Sequence, residues 1–117
     1  MLKKGLILIS IMSLYLCANS LKCEQKDNTI TCTYFTDRSD SPKDIKLKFY
    51  WISPKSPKDD RVRYILIPPY YGSAYDYRFL PGRVPGKWRV VVTQMDTNKS
   101  TETTFDINET EDEFFKN

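Results

Sequence analysis

Short runs of alternating apolar and polar residues, separated by turn-forming residues, constrain the fold of this chain more than any other feature. The clearest run has an apolar residue at every second position: Ile45, Leu47, Phe49 and Trp51. This period of two is that of a β-strand with one buried face. Similar runs, each bounded by residues such as Pro, Gly, Asn, Asp or Ser, lie at 61–67, 75–79, 87–95 and 101–108. With an N-terminal hairpin, they predict an all-β fold, a small antiparallel β-sandwich of six or seven strands without an amphipathic helix.

Two of these runs also predict which side chains face the core. Residues 61–67 begin with alternation and end continuously apolar, which is typical of a strand that runs from an exposed rim into a covered interior. In the next run, three aromatic residues alternate with Asp76 and Arg78, and they are Tyr75, Tyr77 and Phe79. We therefore expect the aromatic side chains to point inward and the charged ones outward.

The first twenty residues have the three parts of a secretory signal peptide. Lys3-Lys4 is the charged start, 6–16 is an apolar stretch too short to cross a bilayer, and Ala18-Asn19-Ser20 is the small-residue exit. We predict cleavage after Ser20 and a periplasmic or secreted mature chain without a transmembrane span. Leu16 stands where lipoprotein signals normally carry Gly, Ala or Ser, so we do not expect lipidation of Cys17.

After cleavage, the cysteines that remain are Cys23 and Cys32, and an oxidising compartment favours a disulfide between them. If Asp27-Asn28 forms a two-residue turn, the two cysteines lie directly opposite each other in a hairpin. Their Cα atoms are then about 4.5 Å apart, which a disulfide accepts. A structural zinc site needs more ligands than the chain offers, and a redox Cys-x-x-Cys is absent.

The C-terminal third carries a resemblance to a known class of domain. Gly86-Lys87-Trp88 precedes a run of valines, a polar turn follows at 96–100, and Thr104-Phe105-Asp106-Ile107 returns. This arrangement resembles the closing hairpin of small immunoglobulin-like domains in exported bacterial proteins. The resemblance implies an immunoglobulin-like architecture and no activity. It does not imply antibody topology, because the cysteines of true immunoglobulin domains join two sheets, whereas these lie on one hairpin.

Composition bounds the number of domains and the class of partner. With 40% apolar residues, the chain can bury a core in one domain over 21–108. Without Lys3 and Lys4 the formal charge falls from +3 to +1, and no run of Lys or Arg indicates nucleic-acid binding. The acidic end, 109–117, is predicted to be a disordered tail, although its Phe114-Phe115 pair leaves a docking segment as the alternative.

Two Asn-x-Ser/Thr sites are candidates for N-glycosylation, at Asn98 and Asn108. Each has an aspartate two residues upstream, Asp96 and Asp106, and so resembles the longer acceptor preferred by bacterial oligosaccharyltransferases. Asn98 lies at a predicted hairpin tip and Asn108 at the border of the last strand and the tail, where an enzyme can reach the backbone. The alternative for Asn98 is a purely structural role in the turn.

The sequence offers few groups for catalysis. It contains no His, and its predicted mature part contains no free Cys, so the commonest bases, nucleophiles and metal ligands are missing. Its tight carboxylate clusters, Asp59-Asp60 and Glu111-Asp112-Glu113, lie in polar segments that we expect to be solvated. We therefore predict a non-enzyme without a metal or cofactor.

The segment from 64 to 83 is the best candidate for a binding surface, since it holds five of the eight tyrosines. Tyr and Arg are enriched at binding hot spots. Tyr70 and Tyr71 follow two prolines in a predicted loop and are the expected surface contacts. Arg78 and Arg83 complete the candidate set, with an ion pair to Asp76 or Asp60 as the alternative for Arg78.

Together these features predict a non-catalytic domain that binds another envelope protein, as an accessory subunit of an assembly. One alternative is an inhibitor of a secreted or host hydrolase such as lysozyme, because such inhibitors also use disulfide-bonded β domains with a protruding loop. Another is a carbohydrate-binding module, with Tyr70 and Tyr71 stacked on the sugar rings of a glycan.

Overall fold

The computed structural model describes residues 19–37 and 41–108, which form two antiparallel β-sheets around a shared apolar core. The strands are β1 (Asn19–Lys26), β2 (Thr29–Thr36), β3 (Ile45–Ile52), β4 (Arg61–Ile67), β5 (Ser73–Phe79), β6 (Gly86–Gln94) and β7 (Lys99–Ile107). One sheet has the order β1-β2-β5 and the other β4-β3-β6-β7. The predicted all-β sandwich is confirmed, with seven strands.

Several predicted features lie outside the described residues. These are the signal peptide up to residue 18, with Cys17, and the tail 109–117, with its Glu111-Asp112-Glu113 cluster and its two phenylalanines. The described part begins at Asn19, which already pairs with Thr36 in β2. The predicted cleavage after Ser20 therefore falls two residues into β1.

The N-terminal hairpin has the predicted register. Cys23 lies directly opposite Cys32 and is bonded to it, with the Cα atoms 4.0 Å apart. The hairpin turn is Asp27-Asn28, in which Asp27 has a φ of 56°, a conformation that Asp and Asn tolerate. The disulfide is thus confined to one sheet.

The connections place β4 and β5 on the same side of the sandwich. Three hairpins join β1 to β2, β3 to β4, and β6 to β7, while the remaining connections cross between the sheets. Both β4 and β5 are edge strands, and they contact each other across the gap, as β1 and β7 do on the opposite side. The molecule has two ends. We call the end with the loop 68–72 and the turn 95–98 the first end, and the end with the turn 27–28 and the segment 53–60 the second end.

Both sheets contribute to the core. The largest fully buried side chains come from four strands, and they are Trp51, Trp88, Tyr34, Phe49, Ile30, Ile45, Leu47, Ile67, Val90 and Val92. The rings of Trp51 and Trp88 each lie 6.0 Å from that of Phe105. The predicted inward face of β3 is therefore confirmed.

Gly86 is the first residue of β6. Its φ is 125°, which an L side chain rarely adopts, and a Cβ there would lie 3.0 Å from Pro54 Cγ. Two residues later, Trp88 Nε1 donates a hydrogen bond to the Val84 carbonyl at 2.7 Å. Glycine at this position therefore allows the backbone to pass close to Pro54. Trp88, two residues later, is buried in the core.

The expected burial of the apolar end of β4 is only half correct. Ile67 is buried and Ile65 half-buried, but Leu66 is 51% exposed. Val62, Tyr64 and Leu66 are exposed because they lie on the outer side of the four-stranded sheet, whose inner side alone packs against the core.

Candidate functional site

The faces of β5 are the reverse of the prediction. Asp76 and Arg78 are only 3% and 7% exposed, whereas Tyr75, Tyr77 and Phe79 are 60%, 45% and 63% exposed. The expectation that the aromatic residues belong to the core is therefore wrong. The charged pair lies inside the sandwich and the aromatic residues lie on its surface.

Pairing with β2 accounts for this reversal. In β2, Ile30, Cys32 and Tyr34 face the core. The register places Arg78 opposite Ile30 and Asp76 opposite Cys32. Residues directly opposite in an antiparallel pair share a face, so the charged residues of β5 must point inward.

The outer side of the three-stranded sheet consequently carries four exposed aromatic residues, which we call the aromatic face: Phe35, Tyr75, Tyr77 and Phe79. Tyr75 and Tyr77 lie opposite Thr33 and Thr31 of β2. The Tyr77 and Phe79 rings meet edge to face, with centroids 5.8 Å apart and an angle of 81° between their planes. Such a concentration of exposed aromatic surface is unusual away from binding sites.

The predicted contacts Tyr70 and Tyr71 lie in the loop before β5, at the first end. They are 65% and 62% exposed. Tyr70 has a φ of 67°, and its backbone N–H donates to the Ser41 carbonyl at 2.8 Å. The Tyr71 N–H donates to the Pro68 carbonyl at 3.1 Å. The loop backbone is therefore held in place, and it presents both phenol rings to solvent.

Arg78 and Arg83 do not join these tyrosines. They lie at the second end, and the intervening strand separates Arg78 from Tyr71 by on the order of 20 Å. The structure thus divides the four predicted binding residues into two pairs, of which the tyrosines are exposed and Arg78 is buried.

The buried charges at the second end form two ion-pair groups. Asp76 accepts hydrogen bonds from Trp51 Nε1 at 2.8 Å and from Arg61 Nη2 at 3.0 Å, and Arg63 Nη1 lies 4.0 Å from its other oxygen. The second group is centred on Asp59. Its carboxylate contacts Arg78 at 3.2 Å and Arg83 at 3.0 Å.

Asp59 was expected in a solvated loop, and this expectation is wrong. It is only 13% exposed, it accepts a hydrogen bond from the Val84 N–H at 2.9 Å, and its backbone carbonyl accepts one from Arg78. The neighbouring Asp60 accepts a hydrogen bond from the Ser53 N–H at 2.7 Å, and this bond joins the two ends of the segment 53–60. Arg78 therefore pairs with Asp59 rather than with Asp76 or Asp60.

A cavity of about 190 Å³ opens beside these groups, between the adjoining ends of β4 and β5. We call it the arginine cavity. Its lining residues are Arg61, Arg63, Arg78, Arg83, Tyr77 and Phe79. Neither Asp59 nor Asp76 belongs to this lining, so its charged side chains are all cationic.

The two candidate glycosylation sites lie at opposite ends of β7. Asn98 is in the turn before β7, at the first end, with a φ of 59° and its N–H bonded to the Gln94 carbonyl at 2.7 Å. Asn108 directly follows β7 at the second end. Both residues are exposed.

Sequence reasoning did not identify Asp59, Asp76, Arg61 and Arg63 as parts of one site, nor the aromatic face. One usable signal existed in β2, where Ile30, Cys32 and Tyr34 already define the inward parity. That parity would have fixed the faces of β5 if the pairing of the two strands had been known. The pairing itself is non-local, and no short motif encodes it.

Among residues 19–37 and 41–108, no three His, Cys, Asp or Glu side chains converge in a way that could hold a metal ion. No helix within these ranges is long and apolar enough to cross a membrane. No protein-family model, curated protein or solved structure matches the chain. Its function must therefore be argued from the aromatic face, the tyrosine loop and the arginine cavity.

Proposed function

We propose that this protein is a non-catalytic binding domain of the periplasm or the extracellular space, and that it contacts another envelope protein. The disulfide between Cys23 and Cys32 supports an oxidising compartment, because such bonds are rare in the reducing cytosol. The observation that carries the proposal is the aromatic surface that runs from Tyr70 and Tyr71 along the outer side of β5 to Phe79.

This surface has the composition of a protein interface. Tyr and Phe are enriched in such interfaces, and Tyr supplies a large rigid contact with few rotatable bonds to immobilise. The tyrosine loop is anchored through Ser41 and Pro68, and β5 is anchored through β2. Little further ordering is therefore needed when a partner binds, which lowers the entropic cost of association.

The geometry of the rings supports a protein partner over a glycan. A sugar chain that stacks on a strand needs successive rings with parallel planes, but the Tyr77 and Phe79 planes are 81° apart. A protein surface can pack against such a ridged arrangement, since its side chains adapt to both rings.

The test is capture of a partner from the envelope extract of the native cell, using the tagged mature chain as bait. Two double variants address the contact, Tyr70→Ala plus Tyr71→Ala and Phe35→Ala plus Tyr75→Ala. A matched control is Tyr64→Ala plus Leu66→Ala, which removes residues of similar exposure from the outer face of β4. We expect each of the first two variants to capture at least about tenfold less partner, the effect of removing interface hot spots. The control should capture as much as the unchanged protein.

Retention of every captured protein by both contact variants would show that the proposed surface is wrong. Inhibition of lysozyme by the unchanged protein would instead favour the hydrolase inhibitor. Binding of the protein to an immobilised glycan would favour the carbohydrate-binding module, if that binding is lost in the Tyr70→Ala plus Tyr71→Ala variant.

A further inference from the structure

The arginine cavity holds more positive charge than the structure neutralises. Four guanidinium groups line it, from Arg61, Arg63, Arg78 and Arg83. The carboxylates that contact them are those of Asp59 and Asp76. Four positive and two negative charges leave a surplus of +2 in this group.

Several arginine donors also remain unused. The Nε–H groups of Arg61, Arg78 and Arg83 are buried and donate to no acceptor among the described residues. Arg63 makes only a 4.0 Å ion pair with Asp76. Nη atoms of Arg61, Arg78 and Arg83 contact Asp76 or Asp59, and their Nε atoms are shielded from solvent. Arg63, which is 54% exposed, is therefore the guanidinium group of this set that is most open to a further acceptor.

The ionisation of Arg78 agrees with this surplus. Burial, and next the charge of Arg83, hold the pKa of Arg78 below its usual value, and Asp59 offsets these effects only in part. An anion in the cavity would counter the repulsion between these guanidinium groups, because it places negative charge beside them.

We propose that the arginine cavity binds a divalent tetrahedral oxyanion, a phosphate or sulfate group. Guanidinium groups recognise such oxygens through paired, charge-assisted hydrogen bonds. The surplus of +2 matches a dianion and exceeds the charge of one carboxylate. At about 190 Å³, the cavity is far larger than the roughly 15 Å³ that holds one water molecule, so it admits such a group. This inference is independent of the proposed protein contact.

Both tryptophans report on this cavity. The Arg61 guanidinium lies 5.8 Å from the Trp51 ring, and the Arg78 guanidinium lies 5.4 Å from the Trp88 ring. The chain contains two tryptophans, so an ¹H–¹⁵N spectrum has two indole signals that can be followed separately. The Trp51 N–H is also bonded to Asp76, which makes its signal sensitive to the ion pairs.

The test is a titration of the ¹⁵N-labelled mature chain with inorganic phosphate, sulfate and acetate, each at constant ionic strength set with chloride. We expect both indole signals to shift saturably with phosphate and sulfate, with half-saturation at millimolar concentration or below. Acetate should bind more weakly, because it carries one charge.

Two arginine variants locate the site. Arg63→Gln should weaken phosphate binding about tenfold, the effect of losing one charge-assisted hydrogen bond. Arg89→Gln is the matched control, since Arg89 is 53% exposed against 54% for Arg63 and has a similarly long ion pair, but lies in β6 on the outer face of the four-stranded sheet, away from the cavity. If Arg63→Gln does not fold, Arg63→Lys replaces it, because it keeps the charge and loses the paired geometry.

The proposal is overturned if the indole signals do not saturate with phosphate or sulfate, or if acetate binds as tightly. It is also overturned if the Arg63 and Arg89 variants bind phosphate equally. Tighter binding of phosphate than sulfate, or the reverse, would identify which of the two oxyanions the cavity prefers.

Discussion

Asp76 is the most deeply buried charged residue of β5. It is 3% exposed, and a carboxylate at such a depth loses several kcal/mol of hydration free energy. Hydrogen bonds from Trp51 and Arg61 offset this loss. Asp76 is also an inward-pointing charge on an edge strand, and such charges discourage pairing with a strand from another chain.

Asp76→Asn should lower the free energy of unfolding by about 2–4 kcal/mol. The substitution keeps the size of the side chain but leaves Arg61 without its ionic partner, and breaking a buried pair from one side is costly. The measurement is urea unfolding followed by tryptophan fluorescence. Glu102→Gln is the control, because Glu102 and its partner Arg89 are both more than half exposed, and its effect should stay within about 0.5 kcal/mol. Equal effects of the two substitutions would contradict the importance of the buried pair.

At the scale of strands, local patterns predicted some pairings and missed others for a physical reason. The β1–β2 register followed from the cysteine spacing and a two-residue turn, both within ten neighbouring residues. The faces of β5 depend on β2, far along the chain, and on Asp59, Arg61 and Trp51, which satisfy its inward charges. Alternation alone shows that a strand has two faces. It does not show which face is buried when the charged face, like that of β5, can find ionic partners inside the protein.

Opening the disulfide should destabilise the β1–β2 hairpin without changing the fold. Closing a loop of this length stabilises a protein by about 2.5–3 kcal/mol in the chain-entropy model. We therefore expect a reductant to lower the unfolding free energy of the mature chain by that amount in guanidinium titrations. The variant Cys23→Ala plus Cys32→Ala serves as the control and should not respond to the reductant. A response of the variant, or none of the unchanged protein, would refute the assignment of this stability to the bridge.

At the scale of the whole molecule, the sequence predicted the architecture but not the assembly of the second end. A sandwich of six or seven strands follows from alternation and turns, which are local properties. The arginine cavity arises only when β4, β5 and the segments 53–60 and 80–85 converge, and its lining residues span positions 61 to 83 of the chain. Tyr70 and Arg78 are close in sequence, yet a strand places them at opposite ends. The predicted binding site rested on closeness in sequence, but β5 runs from one end of the molecule to the other and so separates its tyrosines from its arginines.

The same separation of the two ends leads to a prediction about glycosylation. We expect the protein from its native cell to carry glycan at one or both of Asn98 and Asn108, with Asn108 more fully occupied. Asn98 is fixed in its turn, and the hydroxyl of Ser100, in the same acceptor site, lies 2.8 Å from that of Thr93. Asn108 directly follows the last strand, and the terminus of a domain is more accessible to a modifying enzyme.

Mass spectrometry of peptides from the native protein measures both occupancies. Asn108→Gln should remove most of the glycan, and Asn98→Gln should leave it largely in place, while neither should change the unfolding midpoint by more than a surface substitution does. Unmodified asparagines at both positions would refute glycosylation. A glycan confined to Asn98 would instead show that the enzyme acts before the β6–β7 turn has closed, because only the unfolded turn offers Asn98 and Ser100 in an extended backbone.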